Sequence, residues 1–304
     1  MSCESSSSSC TSSDDEKPYE PSPEHIRCSL PGFQINSMIA SGTYARVYEV
    51  QHKETQERYA MKSLSRAQYK YQGIMHLLDA EMKINVRLQE QENKDEQYIL
   101  QCKQTVDAKE FVYLLFQPVC QGNLYRLLIK TTNYNLTGRT HERRIARYMD
   151  QILQALQHCH RLNIAHRDIK PENLLLTDDD RVLLCDFGLS SIDQLDSTSL
   201  YGTLDYLSPE MLQRKRHSFT VDLWSMGVLT CELLTGKLPF RQGRGDLIEE
   251  VKTRVVNGNI TWPANRYLSN ESKHFIERFL CVEPKDRMTL EAARRHPFIL
   301  GSIK

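Results

Sequence analysis

The chain has 304 residues, 40% of them apolar, which is enough for one large domain or two ordinary ones with a sizeable core. Lysine plus arginine and aspartate plus glutamate both total 39, so no global basic field is available to hold nucleic acid or an anionic membrane, and charged recognition must be local. Nine cysteines, without a C-x-x-C pair or a Cys/His cluster at metal spacing, fit a reducing intracellular setting, cytoplasm or nucleus; with a serine-rich acidic start and no apolar run of membrane-spanning length, a soluble chain that is not secreted is expected.

Residues 1–30 run through Ser5 to Ser9, an acidic Asp14-Asp15-Glu16 patch and Pro21-Ser22-Pro23, and read as a disordered tail. A solvated linker and a phosphorylated regulatory tail are both open readings. From Phe33 the pattern becomes short β-rich runs, Val47 to Val50, Arg58 to Leu64 and Phe111 to Phe116, interrupted by one helical stretch. That stretch, after Gly73, carries the stripe Leu77, Ile84 and Leu88, and Glu81 falls on the same face. From Leu124 onward helical periodicities dominate, as in Ile145, Met149, Ile152 and Leu156. Two apolar runs, Leu174 to Leu176 and Val182 to Cys185, flank a turn signal at Asp178 to Asp180 and predict a hairpin. Val221 to Leu234 is apolar nearly all round, which marks a buried helix, and Gly236 is placed to end it. The expected fold is α+β and bilobal: a small antiparallel β lobe with one helix over about 33–117, and a larger mainly helical lobe over about 121–298. Residues 299–304 are expected to be a short tail, with no long extension after it.

The hairpin is preceded by His166-Arg167-Asp168-Ile169-Lys170-Pro171-Glu172-Asn173 and followed by Asp186-Phe187-Gly188. Antiparallel strands with a tight turn return the chain to where it began, so these polar groups should converge. A second argument starts from Glu81. A carboxylate on a buried face needs a cation, and Lys62, in the strand Tyr59 to Lys62, can supply it. The other reading is two unrelated solvated charges.

With these motifs, H-R-D-x-K-x-x-N and D-F-G, the chain resembles the eukaryotic protein kinase family from about Phe33 to Phe298. The resemblance implies ATP and Mg²⁺ as cofactors and protein serine or threonine as acceptor. Asp168 would be the catalytic base, Lys170 would stabilise the transferring phosphoryl group, and Asn173 and Asp186 would be the metal ligands. Lys62, paired with Glu81, would hold the α and β phosphates. Ile39-Ala40-Ser41-Gly42-Thr43-Tyr44-Ala45-Arg46-Val47 lies where the family has its phosphate loop, but only Gly42 of the three glycines is kept, and Ala40 and Ala45 replace the others. The adenine pocket would use Ile39, Val47, Ala60 and Leu175, with Gln117-Pro118-Val119 as hinge and Phe116 as gatekeeper; residues of this type serve equally as core. Ser190 to Ser208 corresponds to the activation segment, in which Thr203 would contact Asp168 and Lys170. Glu210 would pair with Arg287, and both have a purely structural reading as well.

Within the family, Tyr201 to Leu207 and Leu234 to Phe240 look like segments of the Aurora group, and Asn85 sits where that group carries an amide. A helix position turned to solvent is the other reading of Asn85. Departures are Leu189 where the group has tryptophan, and the non-basic Asp196-Ser197-Thr198-Ser199. Ser199 or Thr198 would be the activating phosphosite, giving Arg167 a phosphate partner. Insertions fall near Gln89 to Asp95 and Lys130 to Thr140. Glu172 and Glu232 match acidic positions that receive an arginine two residues before the acceptor, so basic-flanked substrates are expected. The Aurora resemblance further implies an activator protein on the small lobe and association with spindle or chromosomes. The alternatives are a pseudokinase or nucleotide-binding scaffold, which Ala40 and Ala45 favour, and an active kinase of another serine/threonine group, such as polo-like.

Overall fold

The computed structural model describes residues 21–42, 44–90, 98–120, 122–133, 138–193, 198–243, 245–264 and 267–303. The chain begins with α1 (Pro23–Ser29), then β1 (Phe33–Ser41), β2 (Ala45–His52), β3 (Arg58–Ser65), α2 (Arg66–Tyr71), α3 (Met75–Gln89), β4 (Gln101–Asp107) and β5 (Phe111–Gln117). The five strands form one antiparallel sheet in the order β1-β2-β3-β5-β4. Alternation along β5 explains its unbroken apolar run. Phe111, Tyr113 and Leu115 face one side with Phe33, Val50 and Met61, while Val112 and Leu114 face the other with Leu64, Leu77 and Leu78. Both faces are covered, the second by α3.

What covers the first face was not expected. Within the stretch assigned to a tail, α1 places Ile26 and Leu30 at i and i+4 against the sheet, 2% and 4% exposed. Its start is encoded locally: Ser22 caps the helix by accepting from the His25 N–H at 3.1 Å, and a proline opens the first turn.

The larger lobe contains β6 (Gly122–Asn123), α4 (Leu124–Asn133), α5 (Arg139–Arg161), β7 (Ile164–Ala165), β8 (Leu174–Leu176), β9 (Val182–Leu184), β10 (Ser191–Ile192), α6 (Pro209–Leu212), α7 (Thr220–Thr235), α8 (Ile248–Asn257), α9 (Asn270–Phe279), α10 (Leu290–Arg294) and α11 (Pro297–Ile303). The expected buried helix is α7. It packs Trp224 against Phe240 with ring planes 7° apart, and Gly236, with φ of 69°, ends it in the left-handed conformation. Gly227 is there for closeness, since a Cβ would come within 2.7 Å of Leu280. The stretch assigned to a C-terminal tail is mostly α11, whose Ile299 is fully buried against the same core.

Two small pairings carry the polar motifs. β8 and β9 form the predicted hairpin, with Leu174 opposite Leu184. β10 pairs with β7, which ties the chain after Gly188 to the strand that leads into His166. The Leu100 N–H donates to the Leu184 carbonyl at 2.9 Å, so the hairpin is also attached to the segment that enters β4.

Candidate active site

The start of the segment His166 to Asn173 is positioned by a buried carboxylate. Asp222, fully buried near the start of α7, accepts from the backbone N–H groups of His166 at 3.0 Å and Arg167 at 2.8 Å, and pairs with His160 at 2.9 Å. These bonds hold Arg167 at φ of 65°, a conformation that a side chain other than glycine adopts only when its surroundings impose it. Burial pushes the Asp222 carboxyl up, but His160, His166 and the Arg167 N–H outweigh it and keep it below the ordinary range. In sequence Asp222 lies at the start of a helix apolar nearly all round, and that was the available signal of a buried carboxylate collecting donors.

The loop so held brings the predicted polar groups together. Asp168 Oδ2 pairs with Lys170 at 2.7 Å and accepts from the Asn173 amide at 2.9 Å. Its Oδ1 accepts from the Thr203 hydroxyl at 3.1 Å, and Lys170 donates to the same hydroxyl at 2.8 Å. Gly202 delivers Thr203 to this position: at its φ of 122°, a Cβ would lie 2.9 Å from the Arg167 carbonyl oxygen. His166 orients the loop from behind, accepting the Asp168 N–H at Nδ1 at 3.3 Å, which leaves Nε2 to donate to the Cys185 carbonyl at 3.1 Å.

A second cluster lies across the cleft between the lobes. Lys62 Nζ is 2.5 Å from Glu81 Oε1 and 2.8 Å from Asp186 Oδ1, joining β3, α3 and the D-F-G turn. Burial alone would lower the Lys62 pKa, but the charges of Asp186 and Glu81 raise it well above the ordinary lysine value. Asp186 feels the opposite pull: burial raises it, and Lys62 with the Gly188 N–H brings it to about 2. Burial dominates at Glu81 and raises its pKa, with Lys62 opposing. Asn85 is buried and donates to the Glu81 carbonyl at 2.8 Å, so the solvent-facing reading of that position is wrong.

The donor set fits a hard divalent cation. Asn173 turns its amide nitrogen to Asp168, and Asp186 uses Oδ1 for Lys62 and Gly188. That leaves Asn173 Oδ1 and Asp186 Oδ2 accepting no hydrogen bond among the described residues, and two oxygen ligands are what Mg²⁺ takes from a protein that also offers nucleotide oxygens.

The nucleotide side is more open. Val47, Ala60, Gln117, Val119 and Leu175 are partly buried, while Ile39 is 45% exposed at the rim. Phe116 lies opposite Ala60 in the β3–β5 pairing. At the phosphate loop the Gly42 N–H donates to the Ala45 carbonyl at 2.9 Å. Neither Ala40 nor Ala45 takes positive φ, so the two lost glycines leave no backbone strain behind. Arg46, which sequence reasoning passed over, straps the loop by donating to the Gly42 carbonyl at 2.5 Å and the Ala45 carbonyl at 3.2 Å.

The distal expectations are also placed. Arg287 reaches both Glu210 oxygens at 2.7 Å, and the pair is buried. Glu232 accepts from the Tyr206 hydroxyl, and the Asn123 amide donates to the Glu172 carbonyl at 3.2 Å. Thr198 and Ser199 are described, whereas Thr43, Asp196, Ser197 and the insertion residues 91–97 and 134–137 lie outside the described residues. Among the described residues no helix is long and apolar enough to cross a membrane.

A family model described as protein kinase domain matches residues 33–299. The chain is 34% identical to Aurora kinase A-A of Xenopus laevis over 89% of its own length and 63% of that protein's. It is 33% identical to Aurora kinase B of Xenopus tropicalis, over 91% of the chain and 72% of the relative. To serine/threonine-protein kinase H1 of Homo sapiens it is 30% identical, over 88% of the chain and 61% of the relative. The chain thus spans between about three fifths and three quarters of the length of these relatives.

Proposed function

The chain belongs to the protein kinase family, of the serine/threonine type close to the Aurora group, and from that premise we propose that it is an active kinase transferring the γ-phosphate of ATP to serine or threonine hydroxyls of proteins. The observation that carries the reading is the assembled Asp168–Lys170–Asn173–Thr203 network facing the Lys62–Glu81–Asp186 cluster. Phosphoryl transfer asks the protein for an oriented nucleophile and for cancellation of charge on the phosphate oxygens, and these residues supply both.

Asp168 Oδ1, which Thr203 occupies at 3.1 Å, is the acceptor for the substrate hydroxyl proton. Lys170, held 2.7 Å from Asp168 and 2.8 Å from the Thr203 hydroxyl, places its ammonium beside the acceptor position, where it stabilises the transferring group. Lys62, kept charged by its two carboxylates, holds the α and β phosphates. Asn173 and Asp186 would hold Mg²⁺, which when bound neutralises charge on the β and γ oxygens. Glu172 and Glu232 form the acidic surface for an arginine upstream of the acceptor. An activator protein on the small lobe and an association with spindle or chromosomes follow only from likeness to the Aurora group.

A pseudokinase is the second reading, and the observation in its favour is the alanine at residues 40 and 45. Transfer of labelled γ-phosphate to a basic peptide by the wild type and by Asp168→Asn separates the two. Transfer that the substitution abolishes supports the kinase; equal signals refute Asp168 as the base. Nucleotide binding by the wild type with no transfer in any phosphorylation state refutes the active reading.

A further inference from the structure

The Arg167 guanidinium has an aromatic neighbour, Tyr201, with no role in the chemistry above. Arg167 is buried, and its Nε donates to the Leu189 carbonyl at 2.8 Å. Its Cζ sits 5.5 Å from the ring centroid of Tyr201, within cation–π range. The Tyr201 hydroxyl lies 3.1 Å from His76 Nε2 on the first turn of α3, the helix that carries Glu81, and Tyr201 packs, partly buried, against the apolar cluster to which Leu77 of α3 belongs. One side chain therefore touches both the catalytic loop and the helix that positions the Lys62 partner.

Its neighbours continue the contact. Gly202 is pressed against the Arg167 carbonyl, and Thr203 reaches Asp168 and Lys170. Three consecutive residues thus lie along the catalytic loop, anchored at one end by Tyr201. Burial lowers the Arg167 pKa, with the Asp222 carboxylate opposing.

We propose that Tyr201 is a positioning residue that couples Arg167 to α3, ordering residues 198–207 and the Lys62–Glu81 pair without a phosphate on the activation segment. The inference rests on the kinase reading. A stacked aromatic supplies in one rigid group what a phosphate would supply by charge: an attractive surface for the buried guanidinium and an acceptor or donor for the helix. It also accounts for an activation segment that lacks basic residues before Ser199.

The test uses the full chain freed of phosphate, verified by intact mass, and the same chain phosphorylated on Ser199. The phosphate-free wild type should turn over within about twofold of the phosphorylated form. Tyr201→Ala should lower kcat roughly tenfold in the phosphate-free chain, the size of a partly desolvated cation–π contact plus a hydrogen bond, with KM for ATP changed far less. Tyr201→Phe keeps the aromatic face on Arg167 but loses the hydroxyl on His76, so it should recover only about half of the loss on a logarithmic scale, and His76→Ala should cost no more in the Tyr201→Phe background. Hydrogen exchange of residues 75–81 should rise in both variants, whereas that of residues 201–207 should rise in Tyr201→Ala more than in Tyr201→Phe. Wild-type kcat and exchange in Tyr201→Ala would overturn the proposal, as would a wild type that is nearly inactive until Ser199 is phosphorylated. If the wild type transfers no phosphate in either form, the kinase reading fails, and the exchange comparison alone then decides whether Tyr201 couples the loop to α3.

Discussion

Replacing Asp222 by alanine should unfasten the catalytic loop, and the size of the effect follows from what its carboxylate accepts. Two backbone N–H groups, those of His166 and Arg167 at 3.0 and 2.8 Å, would be left buried without partners. An orphaned buried donor costs about 1–3 kcal/mol, so the pair should cost about 2–6 kcal/mol, a large part of the roughly 5–15 kcal/mol that a domain has. Asp222→Asn keeps one acceptor oxygen and should lose about half as much. Because the Asp222 pKa is lowered in the folded chain, its stabilisation is present at neutral pH and is lost as pH falls through that lowered value. Urea unfolding followed by the fluorescence of Trp224 and Trp262 measures the stability change. The Arg167 backbone should relax from its left-handed conformation and carry Asp168 with it, and a displacement of about 1 Å at a reacting group costs on the order of 100-fold in kcat. An unchanged urea midpoint would refute the satisfaction argument. A lowered midpoint with unchanged kcat would show that Asp222 stabilises the fold without shaping the loop.

Arg287→Met leaves Glu210 buried and unpaired, and should cost about 3–5 kcal/mol in urea unfolding, with most of it restored by adding Glu210→Leu; no recovery in the double variant would count against the pair. Burial raises the Glu232 pKa to about 7 against the opposing hydrogen bond from Tyr206, with Glu172 and Asp205 adding to the rise. Glu232 therefore ionises as pH rises, and KM for a peptide with arginine two residues before the acceptor should fall between about pH 6 and about pH 8. Glu232→Gln should flatten that profile; an unchanged slope would assign the dependence elsewhere. At the phosphate loop, Arg46→Ala should raise KM for ATP roughly tenfold, whereas Ala40→Gly with Ala45→Gly should move it less than about threefold. Steady-state kinetics with varied ATP checks both, and the reverse ranking would show that the missing glycines matter more than the strap.

The parts of this site that were legible in sequence are those fixed by short spacing. Asp168, Lys170 and Asn173 share one loop, the hairpin returns the chain to Asp186, and helical phase alone put Glu81 on a buried face that needed Lys62. Asn85 was ambiguous because one amide on a stripe is compatible with either face until the neighbouring strand is placed. The Tyr201 contacts could not be read, since they join residues far apart in sequence: His76, Arg167 and Leu189 meet only when the two lobes close. Helix α1 was hidden by composition. Its serine cap, following proline and Ile26–Leu30 spacing were all present, but the serine-rich run before them masked a segment with two large apolar anchors. The proposed base and its partners in one loop are thus local, and the residues that hold that loop are distant.

The Arg46 strap changes how the cost of gripping a nucleotide is distributed over time. A glycine-rich loop meets its ligand as a loose chain and must be immobilised then, at about 1–2 kcal/mol for each backbone position fixed. Here two alanines narrow the conformations open to the loop, and the guanidinium bonded to the Gly42 and Ala45 carbonyls ties those two positions together as part of folding. Less freedom is left to surrender on binding, which compensates for contacts that a closer backbone would have made. The same stiffness makes the loop a narrow gate: ligands longer or bulkier at the phosphate end, which an adaptable loop would rise to admit, should be discriminated against more strongly than ATP itself.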